Sequence, residues 1–205
     1  CVPARISLMT GRYTHVGGYR TVSQAMNPGE DDLLARFTAA GYQTALFGKD
    51  HCWGSYRVER DFDFTSHSGP LAHHLEGVPA LSDDRPAHGG AVELELESGW
   101  HYVGARTRHV SDDRKTDQAV AFLTDARDRS RPFFMQVNIE SPHPVYGVEE
   151  PWFSMYATDE LNRWPSALPA GAPLPLRSQR EVRTSSEDVD RESAEIQRVY
   201  YGMIS

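Results

Sequence analysis

Hydrophobic positions along this chain recur first with helical spacing and then with strand-like density, twice in the same order. Leu33, Leu34, Phe37 and Ala40 share one face of a short helix, behind the acidic run Glu30-Asp31-Asp32 and ahead of Gly41. Acidic side chains suit the positive end of a helix dipole, and glycine readily takes the left-handed geometry that ends a helix. Tyr42-Gln43-Thr44-Ala45-Leu46-Phe47 then predicts a strand that stops at Gly48. Further along, Ala119, Val120, Leu123 and Ala126 make an apolar stripe, with Thr116 or Asp117 as the expected cap. After Pro132 the run from Phe133 to Ile139 is short and mostly apolar, as in a buried strand. A helix-then-strand unit used twice predicts an α/β layered fold with a largely parallel sheet.

Between and after these units the pattern breaks. Residues 65–110 are rich in Gly, His, Asp and Ser and predict a loop-heavy insertion. Within it, the alternating piece Val92-Glu93-Leu94-Glu95-Leu96-Glu97 fits one exposed strand. Pro165, Pro169, Pro173 and Pro175 mark a second irregular segment, near 164–190, that leads into a charged and weakly apolar stretch. At the end, Ile196, Val199, Tyr200 and Met203 fall on one helical face within 192–205.

Composition narrows the function classes. A chain of 205 residues can bury a sizeable core as one domain. Its hydrophobic fraction of 39% and mean hydropathy of -0.55 fit a polar globular protein. No run approaches about 18 apolar residues, so no membrane partner is expected. No basic segment followed by an apolar one opens the chain, so no secretion signal is read, and a nucleophile motif at position 1 sets the expectation that the natural N-terminus lies upstream. The net charge of -8 speaks against nucleic acid as a partner and leaves a small anionic substrate open, because a few local cations can outweigh the global field. Two cysteines are too few for a disulfide framework, which favours a reducing compartment and a cytoplasmic location.

Three short clusters carry candidate chemistry. In Cys1-Val2-Pro3-Ala4-Arg5, Pro3 presets its own φ and restricts Val2, so the thiol is expected in a defined geometry ahead of a turn. Arg5 adds a permanent cation whose planar fork suits an oxyanion. A free cysteine by itself is more often a small buried hydrophobe. Gly48-Lys49-Asp50-His51 stands at the end of the first predicted strand, where open α/β sheets bind ligands, although alone it also fits a solvated turn. In Ser141-Pro142-His143-Pro144 two prolines clamp one imidazole after the second strand, and the bland alternative is again a surface turn. Lesser candidates are His15, the pair His73-His74, and the acidic pairs Asp83-Asp84 and Asp112-Asp113, the last expected just before a helix. Tyr146, Trp152, Phe153 and Trp164 suit stacking on a substrate ring and equally suit packing of a proline-rich loop.

Taken in order, C-x-P-x-R followed by Leu8-Met9-Thr10-Gly11-Arg12, then G-Y-x-T-x-x-x-G-K-x-H over 41–51, then Ser141-Pro142-His143-Pro144, which is similar to the family's P-H-x-P segment, the chain resembles the type I sulfatases of the alkaline phosphatase superfamily. The helix Arg198-Val199-Tyr200-Tyr201-Gly202-Met203-Ile204 resembles a structural helix of that family. The resemblance implies a three-layer sandwich around a largely parallel sheet, with residues 1–205 an incomplete part of one catalytic domain and insertions near 65–110 and 164–190. It implies a sulfuric ester hydrolase in which a maturation enzyme oxidises Cys1 to formylglycine. Arg5, Lys49, His51 and His143 would be catalytic, with Lys49 and His143 also binding the sulfate. A divalent metal, calcium in most relatives, would be held by Cys1 as formylglycine and by ligands outside this chain. The substrate would be a small anionic sulfate ester. Phosphonate monoester or phosphodiester hydrolysis, and an inactive anion-binding member, are the alternatives.

Overall fold

The computed structural model describes residues 1–66, 94–95, 101–106, 110–144, 146–162, 170–174 and 189–205. The chain divides into two compact units, Cys1–Leu81 with Ser111–Glu140, and Ser82–Val110 with Ser141–Ser205.

In the first unit the predicted order of elements is present. Helix α1 (Val2–Thr10) opens the chain, helix α2 (Leu33–Ala39) follows, and strand β1 (Gln43–Gly48) comes next. A helix α3 (Ser55–Asp61) and strand β2 (Phe64–Ser66) complete the first half of the unit. Asp32 caps α2 by accepting the Ala35 N–H at 2.9 Å, and Gly41, at φ 79°, carries the chain out of the helix. The opening segment, expected to turn after Pro3, is helical instead. Pro3 sits in the first turn of α1, where an N–H has no intrahelical acceptor to lose and the ring's fixed φ already matches the helix.

The strands of this unit form a parallel sheet in the order β2-β1-β5, where β5 is Phe133–Asn138. Register pairs Gln43 with Phe133 and Gly48 with Asn138, so both strands end at the same level. Side chains alternate across a strand, and β1 uses the alternation fully, with all six residues buried. Leu46 joins Val2, Ile6, Met9, Leu34, Trp53 and Val58 in a core built with α1, α2 and α3. Ala45 and Phe47 join Ala119 and Phe122 in a second core. Those last two residues come from helix α4 (Val110–Ala121) and the π-helical turn Phe122–Ala126 that continues it. Helices thus cover both faces of β1, as the layered α/β expectation requires.

In detail α4 and β5 differ from the sequence reading. The helix starts at Val110, so Asp112 and Asp113 lie in its first turn and Thr116 is an interior residue whose hydroxyl donates to the Asp112 carbonyl at 3.0 Å. Of the predicted stripe, Ala119, Leu123 and Ala126 pack on the core, while the π turn adds Phe122 and Val120 stays 52% exposed. Strand β5 is half-covered rather than buried, since Phe133 and Val137 keep solvent exposure on the outer strand of the described sheet.

The second unit holds strands β3 (Leu94–Glu95), β4 (His101–Arg106) and β6 (Tyr146–Glu149), in that sheet order. Strand β3 falls within the predicted exposed strand and pairs antiparallel with β4, which runs parallel to β6. Helix α5 (Val189–Ile204) buries Ile196 and Val199 against Val148, with Met203 at the margin, as its apolar face predicts. Gly202 lets this helix approach closely, because a β-carbon there would stand 2.5 Å from the Trp152 carbonyl oxygen. Tyr146, Trp152 and Phe153 pack on this cluster, and the Arg198 guanidinium lies 4.2 Å from the Phe153 ring centroid. Packing, not display, is therefore what the structure shows for these three aromatic residues. Trp164, His73-His74, Asp83-Asp84 and most of the two predicted insertions lie outside the described residues. Among the described residues, no helix is long and apolar enough to cross a membrane.

Candidate active site

The N-terminal end of α1 presents Cys1. Val2, Ile6 and Met9, at helical spacing, bury one face of the helix, and that leaves Cys1 exposed as its N-cap. One turn on, Arg5 points its Nε back at the thiol and donates to Cys1 Sγ at 3.1 Å. The cation and the thiol thus form one unit fixed by a single helical turn, at the end of the helix where partial positive charge collects. The rest of the opening motif does structural work at the other end of α1. Thr10 donates its hydroxyl to the Ile6 carbonyl at 2.8 Å, and Gly11, at φ 66°, donates its N–H to the Ser7 carbonyl at 2.9 Å. Arg12 pairs with Glu30 at 3.0 Å, and Tyr19 also donates to Glu30 at 3.0 Å. Arg12 therefore buttresses the segment after the helix. His15 stacks on the exposed Tyr13 beyond this same end, a helix length of about 13 Å from Cys1.

The end of β1 supplies Lys49 and His51. Gly48 turns the strand outward at φ 91°, and a β-carbon there would stand 2.2 Å from the Asn138 carbonyl oxygen, so only glycine fits. Asn138 holds the next residue from both sides. Its carbonyl accepts the Lys49 N–H at 3.2 Å, and its Nδ2 donates to the Lys49 carbonyl at 2.9 Å. Asp50 Oδ1 accepts the N–H groups of Cys52 and Trp53 at 2.9 and 3.0 Å, folding the backbone tightly around His51. The imidazole Nδ1 of His51 is buried without a hydrogen-bond partner.

Burial, then the positive charges of Lys49 and Arg5, push the His51 pKa below its ordinary 6.5, with Asp50 opposing. The Arg5 charge acts on His51, which puts the Cys1–Arg5 pair and the Lys49–His51 pair within electrostatic range of each other. His51 is neutral at pH 7 and able to take up a proton. Because the folded state binds this proton less readily than the unfolded chain, the imidazole subtracts stability only as pH falls below 6.5 toward its folded pKa. A proton NMR titration is expected to place the His51 midpoint below 6.5 and to show it rising in Lys49→Met. A midpoint at or above that value would contradict the assigned environment. The neighbouring Cys52 is buried, and burial with the charges of Asp50 and Asp32 pushes its thiol up to about 12. It stays protonated and is no rival nucleophile.

His143 belongs to the second unit. It is exposed between a cis Ser141–Pro142 bond and Pro144, with its Nδ1 against the Pro144 carbonyl oxygen. Asn138 is the residue that sequence reasoning missed here. Its place at the end of an apolar strand, beside a glycine turn 90 residues earlier, leaves no local signal.

Lys49 and His51 thus follow the carboxyl end of β1, the place where open α/β sheets bind ligands. The Sulfatase family model matches residues 1–201, and the chain belongs to that family. It is 26% identical over 142 residues to an N-acetylglucosamine-6-O-sulfatase of Bacteroides thetaiotaomicron, covering 69% of this chain and 22% of that protein. It is likewise 26% identical over 178 residues to an ulvan-active sulfatase of Formosa agariphila, covering 82% of this chain and 31% of that protein. The phosphonate monoester hydrolase of Agrobacterium radiobacter shares the fold with a TM-score of 0.65 at 20% identity, over 98% of this chain and 46% of its own. The chain thus spans about a quarter to a third of these curated relatives and under half of that solved structure. The alkaline-phosphatase-like α/β fold expected from the sequence is the one observed.

Proposed function

We propose that this protein hydrolyses sulfuric esters through a nucleophile formed at Cys1. The observation that carries the proposal is the exposed Cys1 thiol held by Arg5 at 3.1 Å, in a chain matched by the sulfatase family from residue 1. Oxidation of Cys1 to formylglycine would supply a geminal diol, one hydroxyl to attack sulfur and one to release sulfate and restore the aldehyde. The Sγ position marks where that oxygen would stand, within reach of the Arg5 fork.

Arg5 and Lys49 would then face the sulfuryl oxygens as fixed cations that need no rearrangement as charge develops. His51, neutral and with an unpartnered Nδ1, would accept the proton that the diol releases. For His143, a contact to a sulfuryl oxygen and protonation of the leaving alcohol rest on the likeness of Pro142-His143-Pro144 to the family's P-H-x-P segment alone. The family resemblance implies a divalent cation, calcium first. Among the described residues no three of His, Cys, Asp and Glu gather into a group able to hold one. No role above depends on it.

The test is turnover by the full-length gene product of an aryl sulfate and of an aryl phosphonate monoester under the same conditions. Faster hydrolysis of the sulfate supports the proposal. Preference for the phosphonate transfers the same residues to phosphonate ester hydrolysis, and turnover of neither leaves an anion-binding protein.

A further inference from the structure

Behind the Gly48 turn lies an ion cluster around a buried lysine that the roles above leave unused. Lys115, on α4, is 6% exposed, and its Cδ lies 2.8 Å from where a β-carbon on Gly48 would stand. The stem of this lysine therefore lies against the turn that delivers Lys49. Its Nζ donates to Asp112 Oδ1 at 3.2 Å and to Glu140 Oε1 at 2.9 Å. The same Asp112 oxygen accepts the Glu140 N–H at 2.7 Å. Glu140 stands two residues beyond Asn138, which brackets Lys49 through its carbonyl and its side-chain amide. Two sets of hydrogen bonds, joined by the backbone of residues 138–140, thus connect the first turn of α4 with the backbone of Lys49.

Stability alone gives little reason for an ammonium here, because a well-packed apolar side chain commonly serves a buried position as well as an ion pair does. What the charge adds is geometry. It draws the Asp112 and Glu140 carboxylates, which would otherwise repel, onto one point and so pins the end of β5 against α4. We propose that Lys115 is a positioning residue for Lys49 and His51, fixing through Asp112, Glu140 and Asn138 where the cation and the base stand. The inference rests on the sulfatase reading of those two residues.

Lys115→Met in the full-length gene product keeps the stem beside Gly48 and removes the ammonium. The expected result is kcat on an aryl sulfate lower by about tenfold, with KM changed by less than about threefold. Lys115→Arg, which keeps the charge, is expected to restore most of kcat. Hydrogen–deuterium exchange reads the same inference without turnover. Amides of residues 48–52 are expected to exchange about tenfold faster in Lys115→Met, while those of α2 keep wild-type protection. Unchanged exchange at 48–52 overturns the inference whatever kcat does, and so does an equal loss of protection in α2, which would mark general destabilisation. A wild-type protein that turns over neither ester refutes the proposed function, and the exchange comparison then decides the positioning role alone.

Discussion

Cys1→Ala is expected to lower sulfate ester turnover by at least about a thousandfold without loss of fold. The fold should survive because Cys1 is exposed and its side chain makes no capping hydrogen bond, while α1 is anchored by Val2, Ile6 and Met9. Turnover should not survive, because Cys52, the other cysteine, is kept protonated by burial. Arg5→Lys separates charge from shape. It keeps a cation one turn from Cys1 but loses the planar fork, and its expected cost is about ten- to a hundredfold in kcat. Steady-state kinetics on an aryl sulfate, with circular dichroism as the control for folding, checks both. Wild-type turnover by Cys1→Ala would place the nucleophile elsewhere.

The largest effect on stability is expected at Asp32, far from any role in turnover. Its carboxylate is fully buried and serves three partners at once. It caps α2 through the Ala35 N–H, accepts the Trp53 indole N–H at 3.2 Å, and pairs with the buried guanidinium of Arg57. Arg57 also reaches Asp61 at 2.8 Å, which ties α3 to the same point. Asp32→Ala leaves Arg57 a half-paired buried cation, the Trp53 N–H without an acceptor and α2 without a cap. The expected loss is about 3–5 kcal/mol, a large part of the roughly 5–15 kcal/mol that holds a typical domain. Asp32→Asn keeps a cap acceptor and is expected to lose less. Urea unfolding followed by circular dichroism measures the difference. A loss under about 1 kcal/mol would show that the pair contributes little beyond its own desolvation.

The contrast between Asp32 and Cys1 shows what was legible in the sequence. Helix α2 and strand β1 were readable because their signals are local: apolar spacing at Leu34 and Phe37, an acidic start and Gly41 as a stop. The candidate residues Cys1, Arg5, Lys49 and His51 stood out for a similar reason, since each cluster lies within five residues. Pro3 misled because the same fixed φ serves a turn and the first turn of a helix. Thr116 misled because its hydroxyl bonds the preceding turn of an existing helix rather than opening a new one. The network of Asp32, Trp53 and Arg57, and the clamp formed by Lys115, Glu140 and Asn138, were invisible for a different reason. Their partners come together only after the sheet sets its register, and nothing in the local pattern separates a buried Lys115 from the solvated charges around it.

The central claim is that Cys1 is converted before it acts. Mass spectrometry of the tryptic peptide ending at Arg5, from the full-length gene product made in its native host, tests this directly. The expected result is a peptide carrying an aldehyde or its hydrate in place of the thiol. An intact thiol, in a host whose maturation machinery converts a control protein, would contradict the mechanism and leave the binding or inactive reading.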